Sequence, residues 1–186
     1  MRINALGAVA GAGMVVCSVL GWSAAAGAQG THARTAATHP PANMLQLMRG
    51  ILYPNSNVIF TAQTVDPASV KPAADSSTSP NPLSSAYGGW QAVENSALAL
   101  SESAALLTVP RVCENGRQAP VGNADWLRFT ADLRSAGVVA YKAAQAKDQD
   151  RILEAAEAVS TSCSSCHDVY REKTVAQGGD KNRCLP

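Results

Sequence analysis

Aromatic residues make up only 5% of this chain's 186 positions, and β-branched residues are thin outside short stretches. That scarcity argues against strand-rich architectures, whose pleated surfaces are built from those side chains. Alanine and leucine are plentiful instead, within an apolar share of 46%. Both lose little on entering a helix, so the composition points to an all-α fold. No block of lysine and arginine occurs and the net charge is +1, so nucleic acid has no electrostatic footprint to bind. Histidine occurs three times, at His32, His39 and His167. A first helix without histidine and with few charges offers acid–base chemistry no general base, which argues against an enzyme. No internal repeat is present.

The longest apolar run is N-terminal. Residues 1–28 are read as a Sec signal peptide: Arg2 supplies the positive start, residues 5–20 are apolar and broken by glycines, and Ala26-Gly27-Ala28 gives a small-x-small cleavage pattern. An uncleaved anchor is the alternative, but the run is short and rich in Gly and Ala. Cys17 follows Val15-Val16, a poor lipidation setting. Export implies the periplasm, with no stable membrane anchor after cleavage. Arg2 leaves with the signal, and the remaining basic residues then balance the 14 acidic ones. That argues against strong electrostatic docking to one highly charged partner. Residues 29–40 are polar and small, a flexible leader, and residues 41–186 are expected to form one domain.

Met44, Leu47, Met48, Ile51 and Leu52 recur at steps of three and four, which marks a helix. Val58 and Ile59 continue the register beyond an expected kink at Tyr53-Pro54. Residues 65–86 hold Pro67, Pro72, Pro80, Pro82 and many serines, a long loop. A second helix is expected over 87–108, with Trp90, Val93, Ala97, Leu98, Leu106 and Leu107 as its stripe. After a turn containing Pro110, Gly116, Pro120 and Gly122, a third runs over 123–147 with Asn123 as N-cap. Trp126, Leu127, Phe129, Leu133, Val138 and Tyr141 carry its apolar positions. Asp148 can cap a fourth, where Ile152, Leu153, Ala156 and Val159 lead into residues 163–167. Four amphipathic helices with one long and two short connections describe an antiparallel four-helix bundle.

Cys163-Ser164-Ser165-Cys166-His167 is the attachment pattern of a c-type haem. On a helix, Cys163 and His167 are four apart and share a face, with Cys166 three from Cys163. Two thiols can then add to the two vinyl groups along one haem edge while the imidazole meets the iron. One haem c is implied. A zinc site would need four N/S ligands, and beyond the motif only Cys113 and Cys184 remain in the domain. A thioredoxin-type CxxC would normally follow a strand. A plain Cys163–Cys166 disulfide fits the spacing but gives the adjacent histidine no role. Cys113 and Cys184 are either a disulfide, as the compartment favours, or two unpaired thiols.

The segment CSSCHDVYR, residues 163–171, lies on the last helix rather than near the start of the domain. In this it resembles the class II c-type cytochromes of the cytochrome c prime type. Residues 129–146 and the following DQDRILEAAEAVSTSCSSCHDVYR are similar to the third and fourth helices of that family. The likeness covers most of residues 41–176, though only the CxxCHxxYR pattern is specific. The Ser/Pro loop at 65–86 and the Gly-Asp-Lys-Asn-Arg-Cys tail depart from it.

The resemblance implies a four-helix bundle with covalent haem near the end of the last helix and His167 as proximal ligand. It also implies that the sixth iron position faces the first helix, which presents either a methionine thioether or an apolar side chain. Leu47-Met48-Arg49 looks like the methionine-ligated branch and favours Met48, with Met44 one turn away as the alternative. Arg171 would lie near the haem edge or its propionates, or else on a solvated face. Tyr170 would pack near the haem or in the core, and Trp90 and Trp126 in the core. The function expected is a periplasmic monohaem electron carrier with no substrate turnover. It would serve redox partner proteins of a respiratory or dehydrogenase chain, and could form a homodimer as many relatives do. The rival is a five-coordinate haem protein binding NO or CO, with Leu45 or Leu52 over the iron.

Overall fold

The computed structural model describes residues 40–171 and Cys184. The expected signal peptide, nearly all of the leader, and the tail at 172–183 lie outside the described residues. Four principal helices carry the described chain. It contains no strand among those residues, only an isolated antiparallel bridge between Val112 and Gln118. No described helix is long and apolar enough to cross a membrane.

Helix α1 (residues 44–61) is composite: an α-helical turn Met44–Leu47, a π-helical turn Met48–Leu52, and an α-helix Tyr53–Thr61. Asn43 starts it with a reciprocal cap. Its side chain accepts the Gln46 N–H at 2.8 Å while the Gln46 side chain accepts the Asn43 N–H at 2.9 Å. Where the sequence predicts a kink at Tyr53-Pro54, the chain instead widens by one residue just before the proline. Pro54 has no N–H to offer the carbonyl of Gly50, and its ring would collide with that carbonyl in a regular helix. The π turn, closed by the Tyr53 N–H on the Met48 carbonyl, provides the extra room. Side chains then serve carbonyls along this stretch. The Asn55 amide donates to Ile51 O at 2.7 Å and the Ser56 hydroxyl to Tyr53 O at 3.0 Å.

The loop at 65–86 is more ordered than its composition implies. Turns of 3-10 helix at Pro67–Ser69 and Pro82–Ser84 are capped by Asp66 and Asn81, and Pro67 and Leu83 are buried. Gly89, at φ 59, then delays the second helix. That helix, α2 (Trp90–Ser103), tightens into a 3-10 turn over Ala104–Thr108. Helix α3 (Ala124–Ala146) and helix α4 (Gln149–Tyr170) are joined by two residues. Lys147 turns the chain in the left-handed region, and Asp148 caps α4 as expected, accepting the Arg151 N–H at 3.1 Å.

Helix α3 packs along both α2 and α4, whereas α1 lies against α2 and touches α4 sparsely. The cause is side-chain size. The face that α3 buries includes Ala136, Gly137, Ala140, Ala143 and Ala144, which lets neighbouring backbones come close. Leu98, Leu127 and Leu153, expected in apolar stripes, are exposed at 42%, 46% and 39%. Each is adjacent in sequence to a buried residue that takes the inward position: Ala97, Trp126 and Ile152. Trp126 is buried as expected, and Trp90 is half-buried.

Gly137 marks the tightest approach, since a Cβ there would stand 2.8 Å from the Ser101 backbone nitrogen. Alanine normally stabilises a helix interior by about 0.5–1 kcal/mol over glycine. Here overpacking, worth about 1–3 kcal/mol, decides the sign. Gly137→Ala is expected to lower the melting temperature, and a rise would show that the backbones can part without cost.

Candidate functional site

The last turns of α4 present Cys163, Cys166, His167, Tyr170 and Arg171 at steps of three and four, so they share one side of the helix. Across the sparse seam, α1 presents Met44, Met48 and Leu52. Between the two walls, floored by Leu100, Leu107, Trp126 and Phe129, lies a cavity of about 1150 Å³. That is somewhat above the usual range of about 300–1,000 Å³ for ligand and cofactor sites. Every site residue expected from the sequence lines it: Cys163, Cys166, His167, Arg171, Met48 and its alternative Met44. Leu45 and Leu52, the apolar alternatives for the distal side, line it too, and so does Arg49. Met44 is buried and Met48 half-buried.

Burial pushes the Cys163 thiol up, opposed by a hydrogen bond from Ser162. Burial, with Cys163 and Asp125 nearby, pushes the Cys166 thiol up to about 11. Both are therefore thiols at neutral pH, which suits thiol–disulfide exchange poorly because that reaction runs through the thiolate. Arg171 reaches the motif as well as the cavity: its Nη1 lies 3.3 Å from His167 Nδ1. Arg171 is exposed, the solvated placement that the sequence offered as one alternative, and it also lines the cavity. Among the described residues no group of three or more His, Cys, Asp or Glu side chains converges as a metal site.

Beneath the motif, Tyr170 anchors the end of α4. Its hydroxyl donates to Asp125 Oδ1 at 2.6 Å, and its ring meets Trp126 edge-on at 4.8 Å and Phe129 at 6.4 Å. Trp126 is itself fixed by its indole N–H on Leu107 O at 3.0 Å. Asn123 occupies the N-cap position of α3 as expected but makes no capping bond with its side chain. Its amide lies 3.5 Å from the Tyr170 hydroxyl instead, while Asp125 accepts the Trp126 N–H at 2.9 Å. Sequence reasoning missed Asp125, because an acid in a first helical turn reads as an ordinary dipole partner.

Cys113 and Cys184 form a disulfide, Cα–Cα 5.9 Å, resolving the two alternatives left by the sequence. Cys184 also lines the cavity, and its N–H donates to the Tyr170 carbonyl. Comparison with protein-family models, curated proteins and solved structures finds no match to this chain.

The Tyr170–Asp125 bond gives stability a definite pH signature. The Tyr170 hydroxyl is the main cause that holds the Asp125 carboxyl below its ordinary value. Burial first, and then the same carboxylate, holds the Tyr170 phenol above its own. The bond therefore stabilises the fold between the unfolded values of about 4 and about 10. Its contribution is lost as pH falls through the folded Asp125 value or rises through the folded Tyr170 value. Urea midpoints of wild type and Tyr170→Phe should differ most in mid-range and converge at both extremes. Parallel profiles would show that the pair is not coupled to folding.

Proposed function

We propose that this chain is an exported, periplasmic monohaem c-type cytochrome, built as a four-helix bundle, that carries electrons without transforming a substrate. One observation carries the reading: Cys163, Cys166 and His167 on α4 and Met44 and Met48 on α1 line one and the same cavity, large enough for a cofactor. The lining fits a haem. Its floor is aromatic and aliphatic, its two cysteines are held as thiols, and Arg49 and Arg171 are available to carboxylates at its rim. Bound there, haem supplies a one-electron ferric–ferrous couple.

The chain's own residues take the remaining roles. Cys163 and Cys166 hold the cofactor through thioethers. His167 on α4 would supply a ligand to its iron, and the Met48 thioether, or that of Met44 one turn earlier, would supply another. Methionine ligation raises the potential, as suits a carrier that accepts electrons from a respiratory or dehydrogenase partner. Trp126, Phe129 and Leu100 exclude water from the site. Tyr170, held by Asp125, keeps the turn bearing His167 in place. Leu45 and Leu52 line the same cavity beside the methionines, and this supports a second reading, a five-coordinate haem that takes NO or CO.

Intact mass and absorption spectra of the exported protein test both. A mass increase of one haem is expected, with Cys166→Ala losing one of the two thioethers. Low-spin spectra indifferent to CO would support electron transfer, and Met48→Leu should then open the iron to CO. High-spin wild-type spectra that shift promptly with CO would favour gas binding. An apo mass in cells that possess haem-maturation machinery would overturn both readings.

A further inference from the structure

The loop between α2 and α3 contacts both walls of the cavity, though neither motif lies in it. Arg111 is buried at 5% exposure, and its guanidinium donates to Ala42 O and Leu106 O, both at 3.1 Å. The next residue, Val112, accepts the Met44 N–H at 2.9 Å. The start of α1, with Met44, is therefore hung on residues 111 and 112. Cys113 follows at once, its N–H on Arg117 O at 2.7 Å inside a tight turn. Its disulfide partner Cys184 donates its N–H to the carbonyl of Tyr170, the last residue of α4. Both half-cystines are buried.

We infer that the Cys113–Cys184 disulfide is a clip that positions the two walls of the cavity, linking the turn that bears Met44 to the turn that bears His167. Direct contact between α1 and α4 is sparse, so helix packing does little to set the gap between these walls. The covalent tie does so instead. Its consequence for the iron rests on the haem reading above: with the clip closed, the thioether stays within reach of the sixth position. With the clip cut, the walls part and an external ligand competes. Cys113 and Cys184 are positioning residues; neither is assigned to the iron.

The test compares wild type with Cys113→Ser/Cys184→Ser, using the haem-loaded protein in its ferrous form. Amide hydrogen exchange over residues 44–48 and 166–171 reads the walls, and CO association reads the iron. Both segments are expected to lose protection together, and CO association to quicken at least about fivefold, the low end of ordinary site-to-site coupling. Gly137→Ala, chosen for its remote loss of stability, should leave CO association unchanged, which separates positioning from general loosening.

If the double variant fails to accumulate, wild-type ferrous protein is treated with a water-soluble phosphine. With water supplying the oxygen and two protons, the phosphine is oxidised to its oxide as the disulfide is reduced to two thiols, and the same two readouts are taken. Protection unchanged at either wall, or both walls loosened with CO association unaltered, overturns the proposal. Should mass show no haem, the haem reading fails, and exchange at the two segments alone decides whether the clip exists.

Discussion

A cavity big enough for a cofactor can persist in a helical protein only where helices are kept from closing on one another. This chain meets that constraint through asymmetry. The alanine and glycine face of α3 draws α2 and α4 close, at Gly137 close enough to exclude even a methyl group. Close packing is thus concentrated on one side, and α1 is left with few contacts to α4. The site occupies that seam. Large residues then line what small residues elsewhere have left open: Trp126, Phe129 and Leu100 form a floor that small residues could not.

Proline sets the second condition. A regular helix through Pro54 would strain against the carbonyl of Gly50, and the π turn at Met48–Leu52 relieves it. An inserted residue rotates everything before it relative to everything after. Met44, Met48, Leu52, Ser56 and Phe60 line the cavity across the π turn, while Val58 and Ile59 fill the core. One helix in this way carries a cavity-lining face and a core face side by side. Such turns gather at functional sites for the same reason.

Much of this was legible in the sequence, because the relevant signals are local. The motif at 163–167, the four amphipathic stretches, the cap at Asp148 and the methionine spacing each depend on neighbours a few positions apart. What escaped depends on pairs far apart in sequence or on one-residue choices. Asp125 and Tyr170 are joined across 45 positions, and neither has a periodic signature that names the other. Leu98, Leu127 and Leu153 satisfy a hydrophobic pattern yet face outward, because a neighbouring residue already fills the inward place. The π turn replaced a kink because periodicity registers a proline's disruption but not the manner of its relief. Cysteine counting left the Cys113–Cys184 bond open, since only a folded chain brings the two together.

The covalent link between Cys113 and Cys184 encloses α3, α4 and the two-residue link between them in a single ring. Lys147, exposed and left-handed, lies on that ring. A protease that cuts after it therefore severs the backbone without dividing the molecule. The piece bearing the methionines and the piece bearing Cys163, Cys166 and His167 stay joined by sulfur, and separate only when that bond is reduced.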